Sequence, residues 1–361
     1  MRIDRVDLER LTGAIFAAAG CSAAEAARIG ARLVKANLAG HDSHGVIRVP
    51  RYVKMMRDEE VFADRRISIV TENDTLAVVD GNLGFGQTVG PQAVELGIAK
   101  VARNGVAVIA LRRAGHLGCI GDWAEMAADA GLISLNLVNV SGSLLVAPFG
   151  AVERRLGTNP IAIGVPRPGQ PHLILDFATS VVAEGKVLVA LGGGKPLPEG
   201  SLIDDDATLT TDPSIFYGYA TPGGAPSARL GHGAIRAMAE HKGSGLSLMC
   251  ELLAGALTGS GCAGPGKAQV FNGMLSIYLD TAAFDSDGYF AREVRRYLDF
   301  FQSAKPAEAG GEVLLPGDVE RRNRTARLAH GIPLTDDAWR ALVETARAVG
   351  VAEQDIAAPR A

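Results

Sequence analysis

Residues 40–52, GHDSHGVIRVPRY, bring Ser43, His44, Arg48 and Tyr52 into one short stretch whose chemistry folding alone does not require. A guanidinium can grip a carboxylate through two parallel hydrogen bonds, and an imidazole titrates near neutrality, so this set suits carboxylate recognition beside a proton transfer. One such residue would read as an ordinary polar loop, whereas four together favour a site. Pro50 fits the first position of a helix over 50–57, which puts Ser43 and His44 on the loop before it, Arg48 at the loop's end and Tyr52 in the first turn. His116, in a glycine-flanked loop, is a second candidate acid or base and reads equally well as a loop imidazole bonded to a carbonyl. Asp176 is open between a helix N-terminal anion and a partner that orients a histidine. His241, on chemistry alone, reads as a helix-start residue beside Lys242.

Other motifs fail on their own chemistry. In Gly84-Phe85-Gly86-Gln87-Thr88-Val89-Gly90 the third glycine comes one position late for a dinucleotide fingerprint, and no acidic residue follows on the next strand, so a tight turn leading into a helix is the better reading. Residues 261–268, GCAGPGKA, resemble a phosphate loop, but Ala268 replaces the hydroxyl that would hold magnesium. His41 and His44 flank Asp42 without a third ligand at metal spacing, so no metal is expected. No serine stands in a G-x-S-x-G turn. Cys21, Cys119, Cys250 and Cys262 form no close pair, which reads as four reduced thiols.

The elements that position these residues follow from periodicity. Residues 4–40 carry two helices, the second opened by Ser22 and Glu25 in capping-box spacing and closed by Gly40. Strands are expected over 67–71, 75–80, 106–111, 132–138, 157–165, 173–177 and 269–279. Helices are expected over 91–103, 121–130, from the Ala178-Thr179-Ser180 stretch to about 191, and over 243–257 and 289–301, with a helical tail after Pro316. Residues 192–233, rich in Gly, Pro and Asp, read as a long excursion over the surface. The chain has 361 residues with 47% hydrophobic content, 21% charge and net charge −4, a composition that excludes disorder and a nucleic-acid footprint. No apolar run suits a signal segment or membrane span, so the cytoplasm is the default address.

Taken in order, Ser43-His44-Gly45 with Pro50 and Tyr52, His116-Leu117-Gly118, Gly157-Thr158-Asn159-Pro160, Asp176-Phe177-Ala178-Thr179-Ser180, His241-Lys242-Gly243 and Pro316-Gly317 resemble the malate/L-lactate dehydrogenase family of NAD(P)-dependent oxidoreductases. The likeness covers most of the chain. Within the family the hydroxycarboxylate dehydrogenase B branch looks most similar, through Val146-Ala147-Pro148-Phe149, Ala239-Glu240-His241-Lys242-Gly243 and Leu314-Leu315-Pro316-Gly317. The resemblance implies a mixed α/β, non-Rossmann NAD(P)-binding fold. A helical domain from both termini (1–66 plus 300–361) would flank a central mixed-sheet cofactor domain (67–299), in a homodimer.

The same resemblance implies cofactor contacts from His44, Gly118, Cys119, Ile120, Leu175, Asp176, Phe177, Ala178, Thr179, His241, Asn272, Gly317, Asp318, Val319 and Glu320. For His241 it displaces the helix-start reading. It makes His116 the acid or base on the substrate oxygen, joined in catalysis by His44, Ser43 and Asp176, with Arg48 and Tyr52 around the substrate. The cofactor would be NAD, with NADP possible, and the reaction hydride transfer between a 2-oxo and a 2-hydroxy acid. With an ordinary pKa near 6.5, histidine could serve as acid or base near neutrality. Residues 138–143, VNVSGS, depart from the family's Thr-Asn-Ser type of loop and bring no lysine, which favours a monocarboxylate with an apolar or aromatic tail over a dicarboxylate. Two alternatives stay open: reduction of a cyclic imine such as pyrroline- or piperideine-2-carboxylate, and a non-catalytic nucleotide-binding protein.

Overall fold

A computed structural model describes residues 1–219, 226–267, 269–285 and 287–356; Ala268 and the tip of the 192–233 excursion lie outside it. The fold is mixed α/β, built on a seven-stranded sheet. In chain order its strands are β1 (Ser68–Glu72), β2 (Leu76–Asp80), β3 (Val106–Ala114), β4 (Leu132–Ser141), β5 (Ile161–Val165), β6 (Leu173–Phe177) and β7 (Phe271–Asp280). Across the sheet they lie in the order β1-β2-β3-β7-β4-β5-β6. Only β2 and β3 pair in parallel; the other neighbours are antiparallel. β7, from late in the chain, therefore inserts at the centre between β3 and β4. Its inward residues Met274 and Tyr278 join Ile109, Leu111, Val138 and Trp123 in one apolar cluster.

The helices before the sheet are α1 (Arg5–Ala18), α2 (Ala23–Ala39) and α3 (Val49–Arg57). Their apolar stripes meet in a second cluster, Leu8, Ile15, Ile29, Leu33 and Val53, which also takes Ile332, Leu334, Leu342 and Ile356 from the other end of the chain. Residues Arg2–Ile3 pair antiparallel with Ile332–Pro333 and tie the two ends together. The capping box at Ser22 is half formed: its hydroxyl accepts from the Glu25 N–H, but the Glu25 carboxylate turns inward to the Asp64 N–H and the Thr88 hydroxyl. The Ser22 N–H instead reaches Asp64.

Three expectations change in shape. The helix expected over 91–103 begins earlier, as α4 (Gly86–Asn104), with Pro91 inside it. The glycine stretch does run from a turn into a helix: the Gly84 N–H closes on the Gly81 carbonyl and the helix opens at Gly86, where a side chain would run into the His116 carbonyl, 2.3 Å from its ideal Cβ. Extended structure begins only at Ile161, since Asn159 has φ +32° and cannot continue a strand. The excursion over 192–233 is partly built: Leu202–Ile203 and Leu209–Thr210 join Ala234–Arg236 and Val146–Ala147 in a four-stranded sheet. Beneath it Val187, Leu202, Phe216 and Ile235 form a third apolar cluster. Among the described residues no helix is long and apolar enough to cross a membrane.

Candidate functional site

Ser43, His44 and Arg48 sit on two short 3-10 turns, Asp42–His44 and Val46–Arg48, between α2 and α3. The turns are pinned from within: the Asn37 side-chain oxygen accepts from the Val46 N–H at 2.9 Å, and its amide donates to Asp42 at 2.7 Å. Tyr52 lies in the first turn of α3, buried against Phe16 and Phe85. His116 follows β3 and precedes α5 (Gly121–Asp129). Its loop is held by Asn272 on β7, whose side-chain oxygen accepts from the Leu117 N–H at 2.8 Å while its amide donates to the Asn139 carbonyl.

These two loops meet. The rings of His44 and His116 stack with centroids 5.6 Å apart and planes 15° off parallel. The Tyr52 hydroxyl lies 2.5 Å from His116 Nδ1 and accepts from the Gln87 amide at 3.3 Å, which leaves its own proton for Nδ1. His116 is then the tautomer that carries its proton on Nε2. Ser43 Oγ lies 3.0 Å from His44 Nδ1. Arg48 donates through Nε to the Ser43 carbonyl at 2.6 Å, and its Nη1 lies 3.3 Å from Glu184 at the start of α6 (Glu184–Leu191). Tyr217 donates to the other Glu184 oxygen at 2.9 Å.

Electrostatics here departs from the ordinary histidine range. Burial, reinforced by Arg48, lowers His44 to about 3 and puts His116 well below its usual value, so both rings rest neutral. The near-neutral titration expected from an unperturbed imidazole therefore does not hold in the free protein. Burial raises Tyr52 to about 12, which keeps its phenol protonated. Burial also pushes the Glu184 carboxyl up, but Arg48, the Tyr217 hydroxyl and Arg51 outweigh it, and the group stays ionised.

Beside this cluster opens a cavity of about 330 Å³, lined by His41, Cys119, Gly121, Asp176, Gly317 and Glu320, with Lys35, Arg321 and Arg324 on its walls. It shares no lining residue with the histidine pair, but His41 is three residues from His44 and Cys119 three from His116. Gly317 caps the helix Asp318–His330, whose N-terminus faces the space. His41 Nε2 lies 3.3 Å from Glu320, a bond that raises His41 despite its burial. Burial raises Asp176 to about 6, against the lowering effect of the Gly121 N–H that its carboxylate accepts at 2.7 Å. Asp176 is thus an anion at the N-terminus of α5, not of the helix after it in sequence, and its hydrogen bond goes to that backbone, not to a histidine. Burial holds the Cys119 thiol well above its usual range, protonated and inert.

Of the other residues singled out, Gly118 and Ile120 flank Cys119, and Leu175, Phe177, Ala178 and Thr179 flank or follow Asp176. Thr179 is buried and donates to the Thr158 carbonyl. Asp318 accepts from the Leu315 N–H, and Val319 points to solvent. Asn272 uses its side-chain oxygen on the Leu117 N–H of the His116 loop and its amide on the Asn139 carbonyl of β4. His241 does not line the cavity; it is exposed at the start of α7 (His241–Cys250), against Phe149. Sequence reasoning missed Glu184, Tyr217 and Gln87. Glu184 looks like any first-turn acid, Tyr217 sits in a stretch without periodicity, and Gln87 hides among glycines.

The family model described as malate/L-lactate dehydrogenase matches residues 3–343. Hydroxycarboxylate dehydrogenase B of Escherichia coli O157:H7 is 35% identical over 362 aligned residues, covering 99% of this chain and 97% of that protein. L-lactate dehydrogenase of Cupriavidus necator is 34% identical over 98% of this chain and 99% of its own length. The solved structure of sulfolactate dehydrogenase from Methanocaldococcus jannaschii superposes with a TM-score of 0.82 at 33% identity, covering 98% of this chain and 99% of that one.

Proposed function

The chain belongs to the malate/L-lactate dehydrogenase family and is an oxidoreductase of 2-hydroxy and 2-oxo acids, and on that premise we propose that it interconverts a monocarboxylic 2-oxo acid and its 2-hydroxy acid with NAD, NADP being the alternative cofactor. The observation that carries this reading is the His44–His116 stack, with Tyr52 on one ring and Arg48 beside both. When bound, the nicotinamide supplies or accepts the hydride.

The rest falls to this chain's own residues. Arg48 binds the substrate carboxylate, which cancels the positive charge that depresses both imidazoles, so His116 gains proton affinity once substrate is in place. In reduction His116, doubly protonated once substrate is in place, donates from Nε2 to the substrate oxygen and keeps its Nδ1 proton, for which the Tyr52 oxygen turns to act as acceptor; in oxidation that neutral Nδ1–H ring accepts the proton at Nε2. Ser43 orients His44. The cavity's donor set fits a dinucleotide: the Asp318–His330 N-terminus, His41, Arg321 and Arg324 suit a pyrophosphate, and Asp176 and Glu320 suit hydroxyls. Its volume lies in the usual range for ligand clefts.

The mixed sheet, with a single parallel pair, supports a fold outside the Rossmann class. The apolar cluster shared by both chain ends supports a helical domain from 1–66 plus 300–361 beside a central one over 67–299. The boundary at 300 falls within the helix Tyr289–Gln302, which exposes Tyr289, Tyr297, Phe300 and Phe301. Such an apolar face supports a homodimer. Four unpaired thiols suit a reducing cytoplasm. The test is a panel of 2-oxo acids and cyclic imines with NADH and NADPH, followed by nicotinamide absorbance. Turnover of 2-oxo acids is expected; turnover of cyclic imines alone would overturn the reading, and tight cofactor binding without any turnover would leave a nucleotide-binding protein.

A further inference from the structure

Glu184 is the charged group that the oxo-acid chemistry above does not use, and it lies against the residue that chemistry needs most. Its Oε2 is 3.3 Å from Arg48 Nη1, and Oε1 accepts from the Tyr217 hydroxyl at 2.9 Å. The position is fixed by packing. A side chain at the next residue, Gly185, would put its Cβ 2.5 Å from Ser43 Cβ and 3.3 Å from Arg48 Nη2, so the first turn of α6 is pressed onto the Ser43–Arg48 turn. Tyr217 is anchored in turn beside Phe216 in the third apolar cluster. The carboxylate therefore has little freedom to swing away when a ligand arrives.

We propose that Glu184 sets the charge preference of the substrate site: with Arg48 already partly neutralised by this fixed carboxylate, a 2-oxo acid bearing a second carboxylate is disfavoured, and one with a neutral or cationic tail is favoured. The inference rests on the oxo-acid reading above and deepens it. One carboxylate of the substrate can still share Arg48, whose second terminal nitrogen has no partner in the hydrogen bonds or ion pairs of Glu184. A second carboxylate nearby meets Glu184 in a partly dry setting, where like charges repel several times more strongly than in water. Arg51 acts on Glu184 and His116 through its field, and Lys186, two residues along α6, is exposed with a field that reaches His41 and His44. Among the described residues neither is hydrogen-bonded or ion-paired to Glu184, whose contacts are Arg48 and Tyr217.

The experiment uses the full chain with NADH and three substrates: oxaloacetate, the 2-oxo acid of leucine and the 2-oxo acid of arginine. For the wild type, kcat/KM for oxaloacetate is expected at least about tenfold below that for the leucine analogue. Glu184→Gln should narrow that ratio by about tenfold and lower the arginine analogue relative to the leucine one. A wild type that prefers oxaloacetate, or a ratio unchanged within about twofold in Glu184→Gln, overturns the proposal. Should Glu184→Gln fail to fold, the wild-type ranking decides alone. Should none of the three turn over, the oxo-acid reading fails by itself. The charge preference is then read calorimetrically, from oxamate against the dicarboxylate tartronate in the presence of NADH, and equal affinity refutes it.

Discussion

His41 and His44 stand three residues apart on one short turn, yet the fold shifts their proton affinities in opposite directions. His41 faces the cavity, where its bond to Glu320 raises its proton affinity and Asp176 adds to the effect. His44 faces inward, where burial and Arg48 lower it to about 3. The difference is a matter of which carboxylate or cation lies across from each ring, not of local sequence. It divides the site into an end where a proton-binding His41 sits among mixed acids and bases, Asp122, Glu125, Asp176 and Glu320 against Lys35, Arg321 and Arg324, and a neutral end, where an uncharged imidazole can approach a carbonyl without repelling Arg48.

Substitutions at the neutral end test this division most severely. His116→Ala should lower kcat by about 10²- to 10⁴-fold, the usual worth of a positioned acid or base, while the NADH dissociation constant, read by fluorescence titration, moves little. A parallel collapse of cofactor binding would mean that the two ends are not separable. Arg48→Leu comes next, with KM for the oxo acid expected to rise by about 10²-fold through loss of a charge-assisted carboxylate contact. The same change removes the cation that depresses both rings, so the His44 and His116 resonances should titrate closer to their ordinary range in NMR. Unchanged titration would assign the depression to burial alone.

How much of this was legible beforehand depends on distance along the chain. Ser43, His44, Arg48 and Tyr52 lie within ten residues, so Pro50 and residue chemistry were enough to group them. His116 could be nominated as a loop imidazole, but its stacking on His44 requires β3 and the α2–α3 turns to come together, which periodicity does not report. Glu184 and Tyr217 were invisible because each makes sense only across from Arg48, 136 residues from Glu184 in the chain. Strand positions survived well, since alternation and apolar runs are local signals. The central place of β7 was not legible, because strand order is decided by pairing partners.

At the cavity the expected effects are smaller, and Asp176 gives the larger. Its native pKa of about 6 lies above the unfolded value, so its contribution to stability is fully present below the unfolded value and is lost as pH rises through about 6. Asp176→Asn removes that penalty and can still accept from the Gly121 N–H. Relative to wild type, the variant should gain stability on going from pH 4.5 to pH 8, on the order of 2 kcal/mol after allowance for partial exposure. Scanning calorimetry at the two pH values reads the difference, and a difference independent of pH would remove Asp176 from the titrating set.

The smallest effect belongs to His41 and bears most directly on the contrast between the two rings. Its native pKa is raised, so the ring is charged through and somewhat above its unfolded value near 6.5, and the stabilisation from Glu320 is present below that value and lost as pH rises through the native one. If the cation helps to hold the dinucleotide's phosphates, NADH affinity should weaken by about fivefold over the same rise, the worth of roughly 1 kcal/mol expected for a partly exposed pair. In His41→Gln the affinity should match the high-pH wild type and lose the pH dependence beyond that contributed by Asp176, which titrates near 6. A wild-type affinity that stays flat from pH 6 to pH 8 would put the phosphates elsewhere. The charge on His41 would then serve only to anchor the Asp318–His330 helix through Glu320.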